Sequence, residues 1–479
     1  MRNVRLLLCS LCSCCALYAQ FDDALGIVER PDSSSIVRLL TVEGDTLTVE
    51  AYLARVRTYH PDIRIAAAGI ERARGVETSA WGLLDPRIRA HYSTKNYYGG
   101  LKNNELGATL NLPLYWGQQI SIGYRRATDF FDTDYTTGSD GEPSIALSIP
   151  LVRNVQTDAV RTAIARSEQG IILAEAQLDE RRNSLSLAAV TEYYGWVASR
   201  ARYDIAADLF EIINERYRWI RSEIERGERA PVDSIEILQE LFRRRALLAR
   251  ARNLVERSLL TVAIYLWGDD ERSMVERFVP EPFPTPELLD PVQVAFDRSR
   301  ALQRRPEMRR LFAEREQLTF DLRLVRESFK PNLAAKLSLY SPGWTTPIDQ
   351  MPTYWKAGVD FELPLMYRAP SGQQQQVIAQ QTQIEALIEL QRRRIENDVS
   401  LAAASVNATY EQAVLARAER RAAEMMVEAE RRLFERGESD LLRLNLRERL
   451  LAEAREREVE ALHSHAVARA YYRWAIADY

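Results

Sequence analysis

Apolar positions along this chain follow two rhythms that alternate. Over residues 153–226 and 373–436 they recur at steps of three, four and seven, the period of a helix. The second stretch contains no proline or glycine. The first has Gly170 and Gly195 as its only candidate breaks. At 1.5 Å per residue each stretch would run to roughly 100 Å, whereas an ordinary globular helix has about a dozen residues. Ile384, Ile388, Ile395, Val399, Ala402, Val406 and Ala413 fall at heptad spacing and predict a buried coiled-coil seam. Arg, Glu and Gln fill the other faces, and frequent alanines allow close packing on more than one of them. The second rhythm is strict alternation, which predicts short strands at 88–97, 107–112, 120–126, 144–149, 333–340 and 354–363.

The order of elements occurs twice. His60-Pro61-Asp62 is matched by Arg305-Pro306-Glu307, each after an amphipathic stretch. A helical run follows each and ends at a second proline, Pro86 or Pro331, at the same spacing in both copies. Strands come next and close on Ile149-Pro150-Leu151 or Leu363-Pro364-Leu365, then a long helix. The phrase Glu225-Arg226-Gly227-Glu228 returns as Glu435-Arg436-Gly437-Glu438 between two helical runs, its glycine suited to a left-handed helix C-cap. Pro231 suits the first turn of the next helix. A repeat this long is a duplicated domain and not a short-period solenoid. The first copy carries an extra hairpin, 107–126, whose placement the sequence leaves open.

Aromatic residues crowd the strand sections, among them Tyr92, Tyr97, Tyr98, Tyr115, Trp116, Tyr124, Phe130, Phe131, Tyr135, Tyr340, Trp344, Tyr354 and Trp355. Aromatic girdles mark the edges of membrane barrels, although strands favour aromatics in any setting. In a bilayer, strands must close into a barrel to satisfy the backbone. Four strands, or six with the extra hairpin, are too few for the eight or more that barrels need. A membrane barrel would therefore have to be shared between chains around a cyclic axis.

Composition narrows the partners. A net charge of −4 marks no nucleic-acid partner. Arg2, Arg5 and the apolar run 6–18 read as a secretory signal cut after Ala19. All four cysteines, Cys9, Cys12, Cys14 and Cys15, lie within that signal, so the mature chain is expected to have no disulfide and no thiolate metal site. Leu11-Cys12-Ser13-Cys14 loosely resembles a lipoprotein box with Cys14 as the lipidated residue. No later apolar run reaches the ~20 residues of a membrane helix.

Together these motifs resemble the TolC-type outer membrane efflux protein family over about residues 46–478. The resemblance divides the chain into a signal (1–19), an N-terminal extension (20–45) and two repeats (46–285 and 286–479). It implies a mostly α fold with membrane β-strands. Three copies would form an α-barrel of long coiled-coil helices in the periplasm and a shared transmembrane β-barrel of twelve strands, four per chain, in outer-membrane lipid. It also implies a periplasmic adaptor and an inner-membrane pump as partners. Arg226, Gly227, Glu228 and Asp233, with Arg436, Gly437, Glu438, Asp440 and Arg443, would then lie at the periplasmic tip, as adaptor contact or entrance.

In the family an aspartate six residues beyond the tip glycine can narrow the entrance. Asp233 stands there in the first copy, but Arg443 stands there in the second. An acidic ring, an Asp233–Arg443 pair and simple stabilisation of a helix N-terminus by Asp233 all remain open. A duct for protein secretion or a periplasmic coiled-coil scaffold are the alternative functions. His463 and His465, two apart, face different sides of a helix and make no shared metal site. No phosphate loop or nucleophile elbow occurs, and neither an enzyme nor a cofactor is expected.

Overall fold

The computed structural model describes residues 45–96, 102–128, 137, 140–226, 231–267, 278–343 and 353–479. The predicted signal with its four cysteines lies outside them, as do Tyr97, Tyr98, Phe130, Phe131, Tyr135 and Trp344.

The elements run in two parallel series. The first is β1 (Asp45–Leu47), α1 (Val49–Tyr59), α2 (Pro61–Trp81), β2 (Arg87–Asn96), β3 (Lys102–Pro113), β4 (Gln119–Thr128), β5 (Glu142–Pro150), α3 (Ala159–Glu225) and α4 (Pro231–Ala263). The second is β6 (Phe278–Pro280), α5 (Pro291–Arg304), α6 (Pro306–Glu327), β7 (Asn332–Tyr340), β8 (Tyr354–Glu362), α7 (Arg368–Glu435) and α8 (Leu441–Ala475). The matched prolines explain the boundaries. Pro61 and Pro306 each open a helix, where a missing N–H costs nothing. Pro86 and Pro331 each stand one residue before a strand. The duplication therefore extends to the elements themselves: α3 has 67 residues and α7 has 68.

Two compact units divide the chain. One comprises residues 1–52 and 195–282. Within it β1 pairs in parallel with β6, Thr46 opposite Val279. The later part of α3 packs against α4 along a heptad seam. Ala206, Ile213 and Ile220 are buried on α3, and Ile237, Arg244 and Ala251 on α4. The polar members of the seam are satisfied. The Ser199 and Ser258 hydroxyls are 2.6 Å apart, and Arg244 donates to Leu209 O at 3.1 Å and to Glu240 Oε1 at 3.1 Å.

The other unit, residues 53–194 and 283–479, holds the six-stranded sheet and most of the remaining helices. The predicted seam of α7 is buried throughout: Ile384 and Ile388 are nearly covered, and Ile395, Val399, Ala402, Val406 and Ala413 are at most 1% exposed. All but Ala413 pack with Ala301 of α5, Met308 and Leu311 of α6, and Ala468, Tyr472 and Ala475 of α8. Three buried polar groups belong to this core. Tyr472 donates to Asp297 Oδ2 at 2.8 Å. His465, 1% exposed, accepts from Glu287 N at 3.3 Å and lies 3.3 Å from Thr409 Oγ1.

Arg305, 2% exposed, is the third. It pairs with Glu307 at 3.0 Å and Asp398 at 3.6 Å, donates to the carbonyls of Trp474 and Ala475, and stacks over the Trp474 ring at 4.1 Å. Its counterpart His60 instead caps α2, accepting from Asp62 N at 3.2 Å.

Burial holds His465 below its ordinary pKa, with Arg469 acting in the same direction and Glu287 opposing. The unfolded chain therefore takes up a proton near pH 6.5 that the folded chain refuses, and stability falls as pH drops below that value. His60 is shifted the same way, also by burial. We expect His465→Gln to flatten part of the fall in Tm between roughly pH 6.5 and 5. An unchanged slope would show that the imidazole is not held neutral.

α3 runs unbroken through Gly170 and Gly195, because glycine in a helix is a modest cost that flanking turns carry. Two expectations need correction. The strand expected at 107–112 extends to Lys102–Pro113, since pairing with both β2 and β4 recruits its polar beginning. The sheet also has six strands and not the four that the resemblance implies. The extra hairpin lies in line, between β2 and β5, in the order β2-β3-β4-β5-β7-β8.

Candidate functional site

Two features are candidates for function, and the sheet is the larger. Its register sorts side chains onto two faces, because alternate residues point to opposite sides. One row reads Ile88, Leu110, Ile122, Ile145, Leu339, Trp355 across all six strands. A neighbouring row on the same face reads Ala108, Tyr124, Pro143. Leu112, Ile120, Leu147, Leu337 and Ala357 form another. This apolar face is uncovered: Ile88 is 80% exposed, Trp355 71% and Val359 65%.

The opposite face is polar. It carries Arg87, Arg89, His91, Glu105, Asn111, Ser121, Arg125, Glu142, Ser148, Lys336 and Asp360. Its groups are cross-linked: His91 lies 3.5 Å from Glu105, Arg125 lies 3.8 Å from Glu142, and Lys336 pairs with Asp360. Ser121 and Gln119 both donate to Asn111 Oδ1, at 2.9 and 3.1 Å. Gly107 sits opposite His91, and a Cβ there would lie only 2.2 Å from His91 Cε1.

An exposed apolar face opposite a networked polar face is the pattern of membrane-barrel strands. The row through Ile88 also reports tilt. Ile88 is second from the helix-side end of β2, while Trp355 is second from the opposite end of β8. Taking the helix-side ends as level, the row climbs ~20 Å over five strand spacings of ~4.8 Å, a tilt of roughly 40°. Membrane barrels tilt by about 35–45°. Aromatics gather at both ends of the strands. Trp81 stacks on Tyr115 at 6.0 Å at the helix side, and Tyr340 on Tyr354 at 5.7 Å at the other.

The second feature is the pair of helix turns. At the second turn, Gly437 has φ +76 and its N–H donates to Phe434 O at 3.0 Å. The Glu438 N–H donates to Leu433 O at 2.9 Å, completing a Schellman cap on α7. Asp440 caps α8, its Oδ1 accepting from Arg443 N at 2.8 Å. The Arg443 guanidinium folds back to Asp440 at 3.7 Å. Arg436 is the C-cap residue of α7. Ser439 donates to the buried Glu430, which also faces Arg447 at 3.8 Å. Sequence reading missed this Glu430 anchor, since nothing marks Glu430 apart from other acids on α7. Replacing Gly437 by Ala should cost about 1 kcal/mol, because a side chain is disfavoured at positive φ. Thermal denaturation would measure it, and an unchanged Tm would argue against the cap.

At the first turn, Arg226 follows the last residue of α3, its N–H donating to Ser222 O at 3.2 Å. Gly227 and Glu228 lie outside the described residues. Asp233 falls in the first turn of α4, with its side chain outside what is described. No group of His, Asp and Glu that could hold a metal occurs among the described residues.

The fold is that of outer-membrane channels. The chain aligns with the CmeC outer membrane channel of Campylobacter jejuni at a TM-score of 0.64 and 14% identity, over 90% of this chain and 85% of that one. For the outer membrane protein VceC of Vibrio cholerae the values are 0.64 and 14%, over 90% and 96%. For the open state of the MtrE outer membrane channel of Neisseria gonorrhoeae they are 0.64 and 16%, over 90% and 88%. No curated protein matches the chain in sequence. Residues 298–477 match the outer membrane efflux protein family. That match covers the C-terminal part of the chain, and the likeness in fold to outer-membrane channels extends over most of its length.

Proposed function

We propose that this chain is one subunit of a homotrimeric outer-membrane channel in a tripartite efflux system, passing substrates from a periplasmic adaptor and an inner-membrane pump to the exterior. The observation that carries the reading is the two-faced sheet: lipid on the side of Ile88, Ile122 and Val359, water on the side of Arg89, Asn111 and Lys336. An open sheet with an uncovered apolar face is out of place in a soluble scaffold. No described helix is long and apolar enough to cross a membrane.

Exposed Leu387, Leu401 and Leu415 stand two heptads apart on α7, outside its buried seam. Such a second apolar stripe suits packing against a neighbouring copy. In this reading residues 1–19 are removed on export, and 46–285 and 286–479 are the two repeats. The helices stand in the periplasm. The turns at Arg226, Gly227, Glu228 and Asp233, and at Arg436, Gly437, Glu438, Asp440 and Arg443, form the entrance and the adaptor contact. In this reading Asp233 narrows that entrance.

Membrane fractionation and planar-bilayer recording test this. The chain should fractionate with the outer membrane as a trimer and conduct, with cations favoured at an acidic entrance. Recovery as a soluble periplasmic protein would overturn the channel. Asp233→Ala should raise conductance and weaken cation preference. If neither changes, the entrance role of Asp233 is wrong while the channel stands.

A further inference from the structure

The sheet ends in two open edges, β2 and β8, and every residue of both is exposed. A bilayer does not tolerate such edges. β2 leads away from the helices and β8 returns toward them, so β8 of one copy meets β2 of the next in antiparallel fashion with their helix-side ends together. The strand count per chain is even, so alternation continues around a ring. The edges are also complementary in charge. On the polar face, the helix-side end of β2 carries Arg87 and Arg89, and that of β8 carries Asp360 and Glu362.

We propose that the extra hairpin β3–β4 is part of the barrel wall, so that six strands from each of three copies, eighteen in all, close one barrel through a β8–β2 seam with Arg89 beside Asp360. The same register sets Arg87 beside Glu362 and Ala90 beside Val359. It keeps the apolar face continuous, because a slip by one residue would turn that face inward. It also closes the ring at a tilt of roughly 35°, within the range of membrane barrels. Barrel diameter grows about linearly with strand number, so this pore is about half again as wide as a twelve-stranded one.

The inference rests on the trimeric channel proposed above, and its test separates the two. Full-length Ala90→Cys/Val359→Cys is oxidised in outer membranes and run on non-reducing gels, beside each single variant. All four native cysteines lie within the first fifteen residues, so few other thiols compete. The expected result is a dimer-and-trimer ladder from the double variant alone. A membrane-embedded trimer without that ladder overturns the seam and leaves the channel standing. A link within one chain in Ala90→Cys/Leu147→Cys, which would set β2 against β5, shows the hairpin outside the wall and likewise overturns it. A monomeric or soluble product overturns the channel itself.

If the double-cysteine chain does not insert, charge exchange decides. Arg89→Glu should lower the temperature at which trimers dissociate in detergent, and adding Asp360→Lys should restore it. Absence of restoration overturns the seam.

Discussion

Val359→Arg should abolish assembly in the outer membrane. Val359 lies mid-strand on β8, 65% exposed, on the apolar face of the sheet. An arginine facing lipid near the midplane costs about 2–4 kcal/mol per site, and a symmetric assembly repeats that cost in every copy. The matched control is Ser338→Arg on the neighbouring strand, where the side chain points to the polar face between Ala146 and Lys356. Immunoblots of membrane fractions should show the first variant lost and degraded and the second near its normal level. If both insert equally well, the two faces are not lipid and water.

The second large effect is expected at Arg305. Its guanidinium is held by Glu307, Asp398, two carbonyls and the Trp474 ring, at 2% exposure. Removing one partner of a buried ion pair typically costs about 3–5 kcal/mol, because the remaining charges are left unpaired. Burial already raises the pKa of Asp398, with Arg305 opposing, so loss of the arginine drives that carboxyl further toward its neutral form. Arg305→Ala should therefore lower Tm by several degrees and move the emission of Trp474. Arg181→Ala, which breaks the exposed pair with Asp62 in the first copy, should cost under about 1 kcal/mol. Equal losses at the two sites would show that the Arg305 cluster is no more than a surface pair.

The contrast between these arginines shows where sequence reading stopped. The paired prolines, the heptad seam of α7 and the left-handed glycine at 437 were legible because each rests on local geometry, a missing N–H, a 3.5-residue repeat or a positive φ. The burial of Arg305 was not, since the Arg-Pro-Glu phrase reads as a helix start, and its partners Asp398 and Trp474 come from distant helices. The His-x-His spacing of His463 and His465 gives no sign that His465 is a core residue. The alternation of β2 was plain, but that six strands share one apolar face follows only from their registers. The in-line position of β3 and β4 follows only from pairing at distance. At the helix turns, the Asp440 cap was within reach of the sequence, whereas Glu430 under Ser439 was not.

The fit of His91 against Gly107 has a consequence for bore. The imidazole occupies the space a side chain at 107 would need, so the polar wall is thin on β3 only because it is thick on β2. A methyl group at 107 would force the ring to swing off the sheet, into whatever space that face encloses. If that face lines the channel proposed above, one small substitution far from the helix turns narrows the passage from its side wall.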